Sequence, residues 1–214
     1  MFTCARILGI VVFSAAALPG PVLAQPTLYP PNITTCEKFE ISARFNPYAL
    51  IDSMWKIFYF WSNNTELNPI VFSLAGKTRV KKFREVYETV SGDTDLEWEK
   101  ATLFMNAKPG VEVLFIYGGT PGAFRAVVKK EQRNKERPMP QPLIQYADVR
   151  MKLVERWLGM MCCEDLTAYA MARVMEMPKT EERCRQGAAA IDYQGYPGQS
   201  YLQLLNTTTI NDEL

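Results

Sequence analysis

Apolar and polar side chains alternate at every second residue over much of this chain, most cleanly in Ala147-Asp148-Val149-Arg150-Met151-Lys152-Leu153. Every apolar residue there falls on one face and every charge on the other, as in a strand with one dry and one wet side. Val111 to Tyr117 repeats the pattern: Glu112 marks the wet face, which puts Val113, Phe115 and Tyr117 on the inner one. Ser53 to Trp61 holds five aromatics in nine residues without Gly or Pro, which suits a pleated, half-buried surface. Ile70 to Ala75, Phe83 to Val90, Leu96 to Glu99 and Ala123 to Lys130 read as further strands. Between them stand turn signals such as Ser91-Gly92-Asp93 and Gly118-Gly119-Thr120-Pro121-Gly122. Trp157 to Cys163 and Thr167 to Met175 read as a hairpin about Glu164-Asp165-Leu166. After Pro178, the run from Thr180 to Cys184 opens a short helix ending near Ile191.

About eight successive strands, mostly joined by short turns and followed by one helix, describe an all-β fold. The architecture is an eight-stranded up-and-down antiparallel barrel with a C-terminal helix. Closing the sheet removes exposed edges, and with eight strands the interior holds packed side chains or one small ligand. Trp98, Phe104, Val113, Phe115, Tyr117, Val149, Met151 and Leu153 have the alternation needed to line that interior. Their mixture of aromatic and Met side chains suits an adaptable apolar site. The charged, Pro-rich stretch from Lys129 to Pro142 reads as a loop within the domain. Residues 25–192 make up the barrel domain, and 193–214 a polar, loose tail.

The first 24 residues change the picture of where this barrel works. Arg6, an apolar run from Leu8 to Leu18 and the small residues before Gln25 form a signal peptide, so the mature chain is secreted. No later stretch is long and apolar enough to span a bilayer. Without Arg6 the mature chain has 23 basic and 23 acidic residues, which gives no electrostatic case for nucleic acid. The last four residues, Asn211-Asp212-Glu213-Leu214, resemble a signal for return to the endoplasmic reticulum, with Asn in place of Lys. Sequons at Asn32, Asn63 and Asn206 mark candidate glycosylation sites in exposed loops.

Cys36, Cys162, Cys163 and Cys184 remain after cleavage, and four cysteines in an exported chain suggest two disulfides. A bond between the neighbours Cys162 and Cys163 would be strained, so each takes a distant partner. Cys36 and Cys184 supply those partners; which joins which is open. The chain has no histidine, which excludes Ser-His-Asp and Cys-His catalysis and His-based metal sites. Glu97 and Glu99 are paired acids, but the alternation puts them outside. Carboxylate, lysine or tyrosine chemistry remains possible in principle, though an enzyme is not the expected reading; no cofactor or metal is expected, and the oligomeric state is not legible.

At Ser53-Met54-Trp55 the chain resembles the lipocalin family, which carries Gly-x-Trp at the start of its first strand. Cys36 upstream, Arg173 on the last strand, and then Pro178 and a helix bearing Cys184 add to the resemblance. Ser53 departs from the family's Gly, and the middle Thr-Asp-Tyr motif has no counterpart. The resemblance implies a carrier of a small hydrophobic molecule such as a pigment, retinoid or fatty acid. It also implies that Arg173 packs across Trp55 to seal the barrel floor. The alternative is a secreted interaction protein or inhibitor with a filled interior. Its binding surfaces would be the basic run Lys77 to Lys82 and the loop Lys129 to Arg137.

Overall fold

The computed structural model describes residues 33–41, 45–62, 66–91, 96–132 and 141–211. The signal peptide, Asn32, Asn63 and residues 212–214 lie outside them. Nine strands form one sheet: β1 (Met54–Trp61), β2 (Ile70–Leu74), β3 (Ala101–Lys108), β4 (Val111–Tyr117), β5 (Ala123–Gln132), β6 (Gln141–Val154), β7 (Trp157–Cys162), β8 (Ala168–Arg173) and β9 (Gln199–Ser200). Each of β2 to β7 pairs antiparallel with the next, and β8 pairs antiparallel with β1. Met54 against Val71 and Trp55 against Ile70 then join β1 to β2 and close eight strands into the expected barrel. Farther along β1, its free edge is taken by β9, with Tyr59 opposite Ser200 and Phe60 opposite Gln199.

The starts of β1, β3, β5 and β7 share one end of the barrel with the ends of β2, β4, β6 and β8. This closed end is entered through a 3-10 turn, Pro47–Ala49. The opposite, open end carries the β1–β2 connection, the β3–β4 turn at Pro109-Gly110 and the β7–β8 turn. The β4–β5 turn depends on one glycine. Gly122 has φ +84°, and a Cβ there would sit 2.0 Å from the Met151 carbonyl oxygen. The same approach lets Met151 N–H donate to Gly122 O at 2.7 Å, so turn and β6 lock together.

Two outer layers cover the barrel wall. Helices α1 (Cys36–Glu40) and α3 (Glu181–Ala190) lie over β1, β7 and β8, with Phe39, Phe58, Trp61, Trp157, Met161, Cys184 and Ile191 between them. Thr180 caps α3 by accepting from Arg183 N–H, as the sequence anticipates. Ala168, Ala170 and Ala172 face this layer, and Gly187 lets α3 approach closely: a Cβ there would meet the Phe58 ring at 2.8 Å. Every residue of β7 is buried because both of its faces are covered.

The second layer corrects the sequence reading. Phe83 to Val90 is no strand but part of helix α2 (Lys77–Ser91), inserted between β2 and β3. Val80, Phe83 and Tyr87 recur at helical spacing and pack on Phe104, Leu114, Ile116 and Val127, while Lys77, Lys81, Lys82 and Arg84 face solvent. Leu96 to Glu99 is likewise not a strand: Trp98–Lys100 forms a 3-10 turn ahead of β3. The segment read as a loose tail holds β9 and helix α4 (Tyr201–Asn211), and Tyr193 and Ser200 are buried. Asn206 is exposed on α4 rather than in a loop.

One expected disulfide is present, Cys36–Cys163, joining α1 to the end of β7. Cys184 forms no bridge; its thiol is buried and free. The reason lies in the wall itself. Cys162 points into the barrel and is itself disulfide-bonded, while Cys184 sits in the outer layer, so the sheet stands between them.

Candidate functional site: the barrel interior

The floor is built from the start of β1 and the end of β8. Trp55 is fully buried and donates from Nε1 to Leu50 O at 3.0 Å. The Arg173 guanidinium lies 4.9 Å from its ring centroid and also donates to Ala49 O at 3.2 Å. Both side chains therefore hold the carbonyls of the turn that crosses the closed end, while the cation covers the ring. Phe45 packs edge-on against Phe124, with ring centroids 5.3 Å apart, and extends the seal.

Above this floor, register fixes which side chains point inward, because antiparallel partners share a face. Val113 faces Met105 and Val128; Phe115 faces Leu103 and Ala126. Val113, Phe115, Val149 and Met151 belong to the buried interior cluster, and Leu153 packs against it half-buried. Tyr117 has the same parity but stands at the closed rim, 36% exposed, with its ring against Phe124. Trp98 and Phe104 do not line the interior. Phe104 pairs with Leu114 on the outer face and carries Arg79 4.0 Å above its ring. Trp98 leaves the sheet in the 3-10 turn and packs beneath α2 against Tyr87.

Inward side chains missed by the sequence reading include Phe72, Phe124, Ala126, Val128, Met160, Tyr169 and Met171. On β5 the signal was present, since Phe124, Ala126 and Val128 alternate with Arg125 and Lys129. On β7 and β8 it was not, because the outer layer makes the other face apolar too.

The interior is layered along its axis. On the β3–β6 wall Phe124 and Val149 form the rung near the floor, Leu103, Phe115, Ala126 and Ala147 the next, Met105, Val113 and Val128 the one above, and Ala107 and Val111 lie toward the open end. Leu67 of the β1–β2 connection and Leu204 of α4 pack against the interior cluster from the sides. The buried polar residues with inward parity are Ser62, Gln145 and Thr167, all neutral, joined by Tyr169. The one charged residue among the buried polar side chains, Lys152, points outward over the Phe39 ring. Burial pushes its amine below the usual lysine range.

Outside the open half, charges brace the wall. Arg79 of α2 reaches Glu112 at 2.8 Å and Ser73 at 3.0 Å, and Lys129 reaches the same Glu112 at 2.5 Å. Burial alone would raise the Glu112 pKa, but the hydrogen bonds from Lys129 and Arg79 outweigh it and hold the carboxyl below its ordinary range. Among the described residues no cluster of metal-ligating side chains occurs, and no helix is long and apolar enough to cross a membrane.

No family model, no curated protein and no solved structure matches this chain. The functional reading therefore rests on the barrel and its lining.

Proposed function

We propose that this protein is a carrier that binds a small hydrophobic molecule inside its barrel, in the manner of the lipocalins it resembles. The carrying observation is a closed eight-stranded barrel with an apolar lining above a sealed floor, in which Trp55 and Arg173 close one end and the lining carries small side chains such as Ala107, Val113, Ala126, Val128 and Ala147. Small side chains on four adjacent strands contribute little volume of their own, which suits an apolar guest in an eight-stranded barrel. The Cys36–Cys163 bridge supports an exported setting, since disulfides persist in oxidising compartments. The test is native mass spectrometry of protein purified from its own source, with uptake of an apolar fluorescent probe by the delipidated protein. A co-purifying apolar compound and saturable uptake support the carrier; a barrel that takes up no probe after delipidation overturns it.

A second reading rests on a different observation. The inward side chains from Ile57 to Met171 are almost without exposure, as in a filled core. An interaction protein would then bind through its surface. Lys77, Lys81 and Lys82 are exposed on α2, and Met175, 94% exposed, borders a hollow of about 660 Å³ with Arg156 and Arg183. The same probe experiment separates the two readings.

A further inference from the structure

Resting on the carrier reading, we infer that Tyr169 is the polar anchor of the barrel, donating a hydrogen bond to a neutral alcohol or carbonyl group on an otherwise apolar ligand. Tyr169 lies in the open half of β8, opposite Phe60 of β1 and Met160 of β7, and belongs to the interior cluster with no exposure. Its hydroxyl is buried and has no hydrogen-bond partner. A buried phenol without a partner forfeits the bonds it would make in water, so a ligand that supplies an acceptor there gains more than one that does not.

The surroundings define the class of that acceptor. Thr167 and Ser62, both buried with inward parity, stand beside the Tyr169 hydroxyl. The Thr167 hydroxyl already donates to Asp165 at 2.7 Å, so toward the interior it can only accept. Gln145 adds a neutral amide on the facing β6 wall. Among the described residues, no charged side chain is buried facing inward. A carboxylate or ammonium brought to this depth would be uncompensated, whereas a hydroxyl or carbonyl would be matched. Burial also raises the Tyr169 pKa, so the phenol remains a neutral donor at physiological pH. The ligand implied is a long-chain alcohol, aldehyde, ketone or ester rather than a free fatty acid.

The experiment compares the delipidated wild type with Tyr169→Phe, which removes one oxygen atom and keeps the ring. Uptake of N-phenyl-1-naphthylamine reports the apolar interior, and its displacement by 1-dodecanol or dodecanoate reports the polar subsite. Expected is a roughly 3- to 10-fold weaker displacement by dodecanol in Tyr169→Phe, with probe uptake and dodecanoate displacement unchanged. Equal dodecanol affinity in the two proteins, or an equal loss for dodecanoate, overturns the anchor and leaves the carrier standing. Failure of the wild type to take up any probe overturns the carrier and the anchor together. Because the phenol has no hydrogen-bond partner among the described residues, Tyr169→Phe should melt no lower than wild type. A clearly lower melting temperature means the hydroxyl serves the fold, which also overturns its assignment to a ligand.

Discussion

The closed end and the open half of the barrel are held together in opposite ways. At the closed end the contacts are internal: Trp55 bonds to Leu50 O, Arg173 covers its ring, and Phe45 abuts Phe124. In the open half the strongest polar contacts are external, where Arg79 and Lys129 converge on Glu112 and Phe83 packs on Phe104. Bracing a wall from outside leaves its inner face to apolar side chains. That division allows one end to act as a plug while the other remains available to a guest.

Trp55→Ala strikes the plug and carries the largest expected effect, a loss of roughly 3–5 kcal/mol of stability. The change removes a fully buried indole and leaves the Leu50 carbonyl without its donor. Urea unfolding measures it; a midpoint indistinguishable from wild type would mean that the floor is not close-packed.

The Cys36–Cys163 bridge comes next. It fastens α1, and with it the segment leading to Leu50, across 127 residues of sequence. Replacing both cysteines with Ala should cost about 2–4 kcal/mol by freeing the unfolded chain. Cys184 offers the control. Burial pushes its thiol up to about 11, so it should resist a thiol reagent at neutral pH in the folded protein and react on unfolding. Rapid labelling of native protein at Cys184 would contradict its place between α3 and the barrel wall.

The external brace is weaker. Arg79→Met should cost about 1 kcal/mol, since the pair is partly solvated. The Glu112 pKa is lowered in the folded state, so its contribution is present above the ordinary carboxylate range and fades as pH falls through the folded value. Acid unfolding of wild type and Arg79→Met should therefore converge at low pH. A constant gap between the two curves from neutral to acidic pH would assign the loss to packing on Phe104 instead.

How much of this was legible depends on which faces each strand covers. On β4 the single charge of Glu112, and on β6 the charges of Asp148, Arg150 and Lys152, fixed the parity, and the structure keeps Val113, Phe115, Val149 and Met151 inside. The hairpin of β7 and β8 and the helix after Pro178 were also marked, the first by its acidic turn and the second by the run from Thr180 to Cys184. Lys77 to Ser91 was misread as extended: in Phe83-Arg84-Glu85-Val86-Tyr87 a two-residue period puts Glu85 on the face of Phe83 and Tyr87, whereas helical spacing groups Phe83, Val86 and Tyr87. Packing of Phe83 and Tyr87 on the sheet decides for the helix. Tyr169 was hidden for a different reason: on β8 both faces are apolar and buried, so no alternation says which way the ring points.

Tyr117→Glu has the smallest expected effect and sharpens the comparison most. By parity Tyr117 belongs with Val113 and Phe115, and the sequence places it at a rim of the pocket. The rim is the closed one: β4 ends there, beside the turn at Gly118 to Gly122, and the side chain is 36% exposed with its ring 6.4 Å from that of Phe124. A charge at this position remains hydrated, so the penalty of burying an ion does not arise. Only the edge contact with Phe124 is lost, worth about 0.5–1 kcal/mol. The floor between Tyr117 and the open half, made by Phe115, Phe124 and Trp55, is buried and unbroken by the substitution. Uptake of an apolar probe should therefore match wild type, and the melting temperature should fall only slightly. Strong loss of uptake with an unchanged melting temperature would show that guests enter at this end, and would reverse the assignment of plug and mouth.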